Sequence, residues 1–145
     1  MRVSAKGEYA IKALLDLALH DRAGLQPIQE IAARQAIPQR YLEQVLLQLK
    51  RAGLLESRRG SAGGYRLSRP TDEVTVGAVL RAVEGSPSRE SAARHHPHRD
   101  RSGDLSELWG EIDLAVSAVV DRVTLEDLRR RAEEKRTGAR PMYHI

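Results

Sequence analysis

The 145-residue sequence contains no cysteine and no phenylalanine, and only one tryptophan and four tyrosines. Without cysteine the chain can form no disulfide, offer no thiolate to a metal, hold no all-cysteine iron–sulfur cluster and supply no cysteine nucleophile. Aromatic residues make up 3% of the chain against 41% hydrophobic residues, so any core is mostly aliphatic. No apolar run is long enough to cross a bilayer, and the N-terminus lacks the apolar stretch of a signal peptide. The expectation is a soluble, cytoplasmic protein of one domain, or one compact domain with an appended helix. Nucleophile–base arrangements, paired-carboxylate sites and phosphate-binding fingerprints are also missing, so an enzyme is not expected.

What is present is charge, unevenly spread. The net charge is +4, but residues 1–70 carry a balance of +6 and residues 71–145 a balance of −2. Between positions 50 and 69, Lys50, Arg51, Arg58, Arg59, Arg66 and Arg69 stand against Glu56 alone. Such a local excess is either a footprint for a polyanion or an ordinary solvated basic face.

Hydrophobic spacing places the helices. From Ser4, a potential cap, to Asp21, the residues Tyr9, Ala10, Ala13, Leu14, Leu17 and Ala18 recur at three- and four-residue intervals. Pro27 opens a short helix with Ile28, Ile31 and Ala32 on its inner face. The tight run QAIP leads to a longer helix from Pro38, with Tyr41, Leu42, Val45, Leu46 and Leu49 inward and Gly53 as its stop. This is the helix-turn-helix pattern. Its second helix turns Gln39, Arg40, Glu43, Gln44 and Gln48 outward. Arginine and glutamine suit guanine and adenine edges in the major groove. A plain helical hairpin with a solvated polar face fits the same residues.

The next segment shifts that balance. LLES and YRLS are short strand candidates, joined by the loop from Arg58 to Gly64. The loop is glycine-rich but lacks the Gly-Lys-Ser/Thr ending of a nucleotide-binding loop, and a strand follows it instead of a helix. Two strands and a basic loop directly after a helix-turn-helix make a winged helix. Glycines let such a wing approach a phosphate backbone, and arginines enter a narrow minor groove. Protein contact is the other use of that shape.

Beyond Pro70, Thr75 can cap a fourth helix with Val76, Val79, Leu80 and Val83 inward. Residues 85–103 read as a mobile loop containing His95, His96 and His98. Helical order returns with a stripe of Leu105, Leu108, Trp109, Ile112, Ala115, Val116, Val119 and Val123. A helix of about 18 residues is about 27 Å long, as wide as a small domain. Part of its stripe is therefore expected to stay exposed and to join two copies. A charged final helix capped by Thr124 follows; its arginines interleave with glutamates, as on a solvated face. The chain ends on Met142, Tyr143 and Ile145, an apolar tail that fits either a pocket of another protein or the surface of its own dimer.

The segments MRVSAKGEYAIKALLDLALH, YLEQVLLQLKRAGLLESRRGSAGGYRL and VTVGAVLRAVEG together closely resemble the Rrf2 family of bacterial transcription regulators. The likeness spans almost the whole chain. It implies a mainly α fold with a small two-stranded wing: a winged helix-turn-helix over residues 1–84, a flexible loop over 85–103, a dimerisation helix and final helix over 104–136, and a tail over 137–145. It implies a homodimer that binds double-stranded DNA, joined through Leu105, Leu108, Trp109, Ile112, Val116 and Val119. It places base reading on Arg40, Glu43 and Gln44, the wing contact on Arg59 with Arg58, and backbone contacts on Tyr9 and Tyr41.

The best-known members carry three cysteines before the dimer helix and bind an iron–sulfur cluster; this sequence has none. His95, His96 and His98 are weak metal candidates in their place. The sequence is similar instead to the cysteine-free branch of cysteine metabolism repressors, in SELWGEIDLAV, VTLEDL and the ending PMYHI. That resemblance implies a repressor of sulfur genes that senses through cysteine synthase, with Ile145 in the enzyme's active site and O-acetylserine as competitor. A regulator switched at the histidine loop, and a winged-helix protein-interaction module without DNA binding, remain the alternatives.

Overall fold

The computed structural model describes residues 3–84 and 103–138. The histidine loop and the C-terminal tail lie outside the described residues. Helix α1 spans Ala5–Leu19 and is capped by Ser4, whose Oγ accepts from the Gly7 N–H at 3.1 Å. Its inner face buries Ala10, Ala13, Leu14, Leu17 and Ala18, while Tyr9 packs half-buried against the core. Helix α2 spans Ile28–Gln35 and ends on Ala36 in the left-handed region, at φ 53°. That residue turns the chain sharply. Ile37 drops into the core, and Pro38 sits at the start of α3, Gln39–Arg51. Gly53, at φ 78°, stands just beyond the end of α3 as expected.

The buried stripe of α3 is Leu42, Val45, Leu46 and Leu49. Each leucine removed from water contributes about 1.5–3 kcal/mol. Two expectations fail on this helix. Tyr41 is 56% exposed instead of inward. At 100° per residue it falls a full quarter-turn from the centre of the stripe. Gln48, expected outward, is half-buried, and its Oε1 is buried without a hydrogen-bond partner among the described residues.

Strands β1 (Leu55–Arg58) and β2 (Gly64–Leu67) pair antiparallel, with Leu55 opposite Leu67 and Arg58 opposite Gly64. A two-stranded hairpin alone is marginal in water. This one is anchored. Tyr65 and Gln26, the residue before Pro27, exchange both backbone hydrogen bonds at 2.9 Å. Gly64 makes the approach possible, because a Cβ there would lie 2.5 Å from the Gln26 carbonyl.

Helix α4 (Val76–Glu84) starts on Thr75, whose Oγ1 accepts from the Ala78 N–H at 3.1 Å. It buries Val79, Leu80 and Val83, leaving Val76 half-buried. Helix α5 spans Gly103–Val120 and α6 spans Leu125–Gly138. Thr124 and Asp127 cap α6 reciprocally, at 3.0 and 3.1 Å. The turn between α5 and α6 is strapped to the start of α4. Val76 N–H donates to the Val123 carbonyl at 2.8 Å, Leu125 N–H donates to the Val74 carbonyl at 2.9 Å, and Arg81 pairs with Asp121 at 2.7 Å. Leu125 is fully buried in the same core as α1. The apolar stripe of α5 is only partly covered: Leu105, Leu108 and Val119 are 43%, 44% and 51% exposed. Among the described residues, no helix is long and apolar enough to cross a membrane.

Candidate nucleic-acid interface

Two elements meet at the candidate interface: the outer face of α3 and the hairpin that follows it. On α3, Arg40, Glu43 and Gln44 point opposite the buried stripe and are exposed. Among the described residues none of their side chains makes a hydrogen bond or ion pair. Arg58 and Arg59, at the end of β1 and the start of the loop, are exposed and uncommitted in the same sense. Gly60, next in the loop, takes φ 109°, which only glycine adopts without strain.

Not every basic residue of the segment is available. Arg66 is tied across the hairpin to its register partner Glu56, with Nη2 at 3.0 Å and Nε at 3.2 Å from Oε2. Lys50 donates to Ser57 Oγ at 2.7 Å, joining the end of α3 to β1. The sequence excess of positive charge thus divides into one neutralised arginine on the sheet and free arginines at the loop. Tyr41 stands exposed beside the outer polar face of α3, and Tyr9 lies at the start of α1 with part of its ring covered.

A second polar cluster holds these elements in place, and sequence reasoning missed it. Asp16 is 1% exposed, at the edge of the apolar stripe of α1. Arg34 of α2 grips it in a fork, Nε to Oδ1 at 2.9 Å and Nη2 to Oδ2 at 2.7 Å. Gln35 donates to the same Oδ1 at 3.0 Å. Arg34 Nη2 also donates to Gln26 Oε1 at 2.9 Å. The Asp16 hydrogen bonds, and the carboxylate charge with them, raise the Arg34 pKa further above its ordinary value. A buried carboxylate with three donors is well compensated. Its partner Gln26 is the residue whose backbone pairs with the wing. One chain of contacts therefore runs from α1 through α2 to β2. The available signal was a lone aspartate between Ala13 and Leu17.

On α5, Leu105, Leu108 and Val119 are exposed, whereas Trp109, Ile112 and Val116 are half-buried. His95, His96, His98, Met142, Tyr143 and Ile145 fall outside the described residues. Among the described residues, no group of three or more histidine or carboxylate side chains converges as a metal site.

Comparison with known proteins gives the following. The model of the Rrf2 family, described as an iron-dependent transcriptional regulator, matches residues 3–131. The HTH-type transcriptional regulator IscR of Photobacterium profundum is 38% identical over 134 residues, covering 90% of this chain and 76% of that protein. The solved structure of T. potens IscR aligns with a TM-score of 0.76 at 33% identity, covering 93% of this chain and 90% of that one. CymR of B. subtilis, described as the global cysteine regulator, aligns with a TM-score of 0.73 at 32% identity, covering 90% and 98%. The iron of the family description does not fit a thiolate site here, because the donor set of this sequence contains no cysteine.

Proposed function

The chain belongs to the Rrf2 family of transcriptional regulators, with the helix-turn-helix and wing of that family, and from that premise we propose that it works as a homodimeric DNA-binding repressor of sulfur or cysteine genes. The observation that carries the DNA half is the set of uncommitted polar groups on α3 beside the free wing arginines. Arg40, Glu43 and Gln44 read base edges in the major groove. Arg59, supported by Arg58, enters the minor groove from the wing, and Tyr9 and Tyr41 contact the backbone. The half-covered stripe of α5 pairs with that of a second copy, which brings two reading heads to two half-sites.

The test is duplex selection by the full-length protein, followed by affinity against salt. A logarithmic affinity that falls steeply and linearly with salt marks phosphate neutralisation. A flat dependence would overturn DNA reading in favour of a protein-interaction module.

The cysteine half rests on the missing cluster ligands together with the likeness to a global cysteine regulator. In this reading Met142, Tyr143 and Ile145 dock into cysteine synthase, and O-acetylserine displaces them. Calorimetric titration of cysteine synthase with the intact protein, and with protein lacking Ile145, checks it. Binding lost without Ile145 and with excess O-acetylserine is expected. No binding by the intact protein would refute the partner and leave DNA reading standing.

A further inference from the structure

Resting on the reading of α3 as the groove-facing helix, we propose that Leu47 is a further specificity-determining residue that contacts the C5-methyl group of a thymine. The buried stripe of α3 is centred between Leu42, Val45, Leu46 and Leu49. At 100° per residue, the direction opposite that centre is occupied by Arg40, Glu43, Gln44 and Leu47. Leu47 lies near the middle of that arc, and it is 47% exposed. It is the one large aliphatic side chain there, one turn beyond Glu43 and Gln44 and about 4.5 Å farther along the axis than Gln44. A leucine exposed on an ordinary surface needs no explanation. This one sits in line with the polar side chains that face the groove, followed on the next turn by the exposed cations Lys50 and Arg51.

The chemistry of the groove narrows the ligand. On the major-groove edge, every base presents hydrogen-bond donors or acceptors, and thymine alone adds an apolar group. A leucine aimed there gains by covering that methyl and discriminates against cytosine at the same position. The preferred operator should therefore hold a thymine next to the base pair that Gln44 reads, in each half-site.

The experiment takes the operator selected by the wild-type protein from a randomised duplex pool and replaces each thymine in turn by deoxyuridine, which removes only the methyl. At one thymine per half-site, wild-type affinity should fall about fourfold per methyl, the effect of burying one such group. Leu47→Ala protein should bind the thymine and deoxyuridine duplexes equally. An unchanged melting curve for Leu47→Ala keeps the comparison clean, since the side chain is outside the core. If no thymine shows the effect, or if Leu47→Ala remains as sensitive to deoxyuridine as wild type, the proposal is wrong. Selection with Arg40→Ala separates this failure from that of the DNA reading itself. A pool that never converges refutes the DNA reading. A converged site that changes with Arg40 but not with Leu47 refutes only the thymine contact.

Discussion

Arginine appears in two regions of this molecule in different surroundings. Between α1 and α2, Arg34 spends its donors on Asp16 and Gln26, inside a cluster whose carboxylate is 1% exposed. In the wing, Arg58 and Arg59 are exposed and have no partner among the described residues. The first arrangement is saturated and holds helices together. The second is open and available to an external anion. Residue type alone does not separate a brace from an open surface cation. The difference lies in what the fold brings within reach, and Gln26 connects the two, since its side chain belongs to the brace and its backbone to the wing.

The comparison can be broken most forcefully at the brace. Arg34→Ala leaves Asp16 buried without its fork, and removing one partner of a buried pair is strongly destabilising. Because the Arg34 side chain is 30% exposed, the expected loss is about 3 kcal/mol, the low end of that effect. Chemical denaturation measures it. An unchanged midpoint would mean that water satisfies Asp16 and that the brace holds nothing.

Arg59→Ala should behave in the opposite way. Operator affinity should weaken by about 1–3 kcal/mol. Stability should move by less than about 0.5 kcal/mol, as for other surface substitutions. Fluorescence anisotropy and a melting curve on the same sample test both halves. A fall in melting temperature without loss of affinity would place Arg59 with the brace.

Arg40→Ala should have a narrower effect, about 1 kcal/mol of discrimination lost at one base pair per half-site. Site selection with the variant shows it as a relaxed position, and an unchanged preference would remove Arg40 from base reading.

The smallest expected effect lies away from DNA, on α6. Arg129, then the Thr71 hydroxyl at 2.6 Å, lower the Glu126 pKa from its ordinary 4.5 to about 2. The folded protein thus keeps the carboxylate charged where the unfolded chain would protonate it. That contribution is fully present above about pH 4.5 and is lost as the pH falls toward about 2. Glu126→Gln should remove this contribution near neutral pH and flatten this part of the acid-unfolding curve, so that the stabilities of variant and wild type converge as the pH falls toward about 2. An unaltered acid limb would show the contact to be incidental.

Much of this architecture was legible in the residues. Leu42, Val45, Leu46 and Leu49 announced the buried face of α3 by spacing alone, and Ser4, Thr75 and Thr124 cap the helices they were expected to cap. The wing followed from glycines between two short apolar runs, although both strands sit one residue away from their expected bounds. These features are local, and period or turn chemistry reports them. The brace was not legible, because Asp16 and Arg34 are 18 positions apart and each looks like an ordinary polar residue of an amphipathic helix. The pairing of Gln26 with Tyr65 has no local signature either. Tyr41 misled because an aromatic next to a leucine stripe reads as core, while its angle on the helix carries it outside.

The double backbone bridge between Gln26 and Tyr65 also bears on the heat and speed of association. A loop that must find its shape on the ligand surrenders about 1–2 kcal/mol of backbone entropy per residue at the moment of contact. Here the strand leading out of the wing is already stitched to the body of the fold, so that loss is incurred during folding instead. Docking should then proceed as an encounter of largely preformed surfaces, with a modest heat-capacity change set by the apolar area covered and an on-rate governed by charge steering.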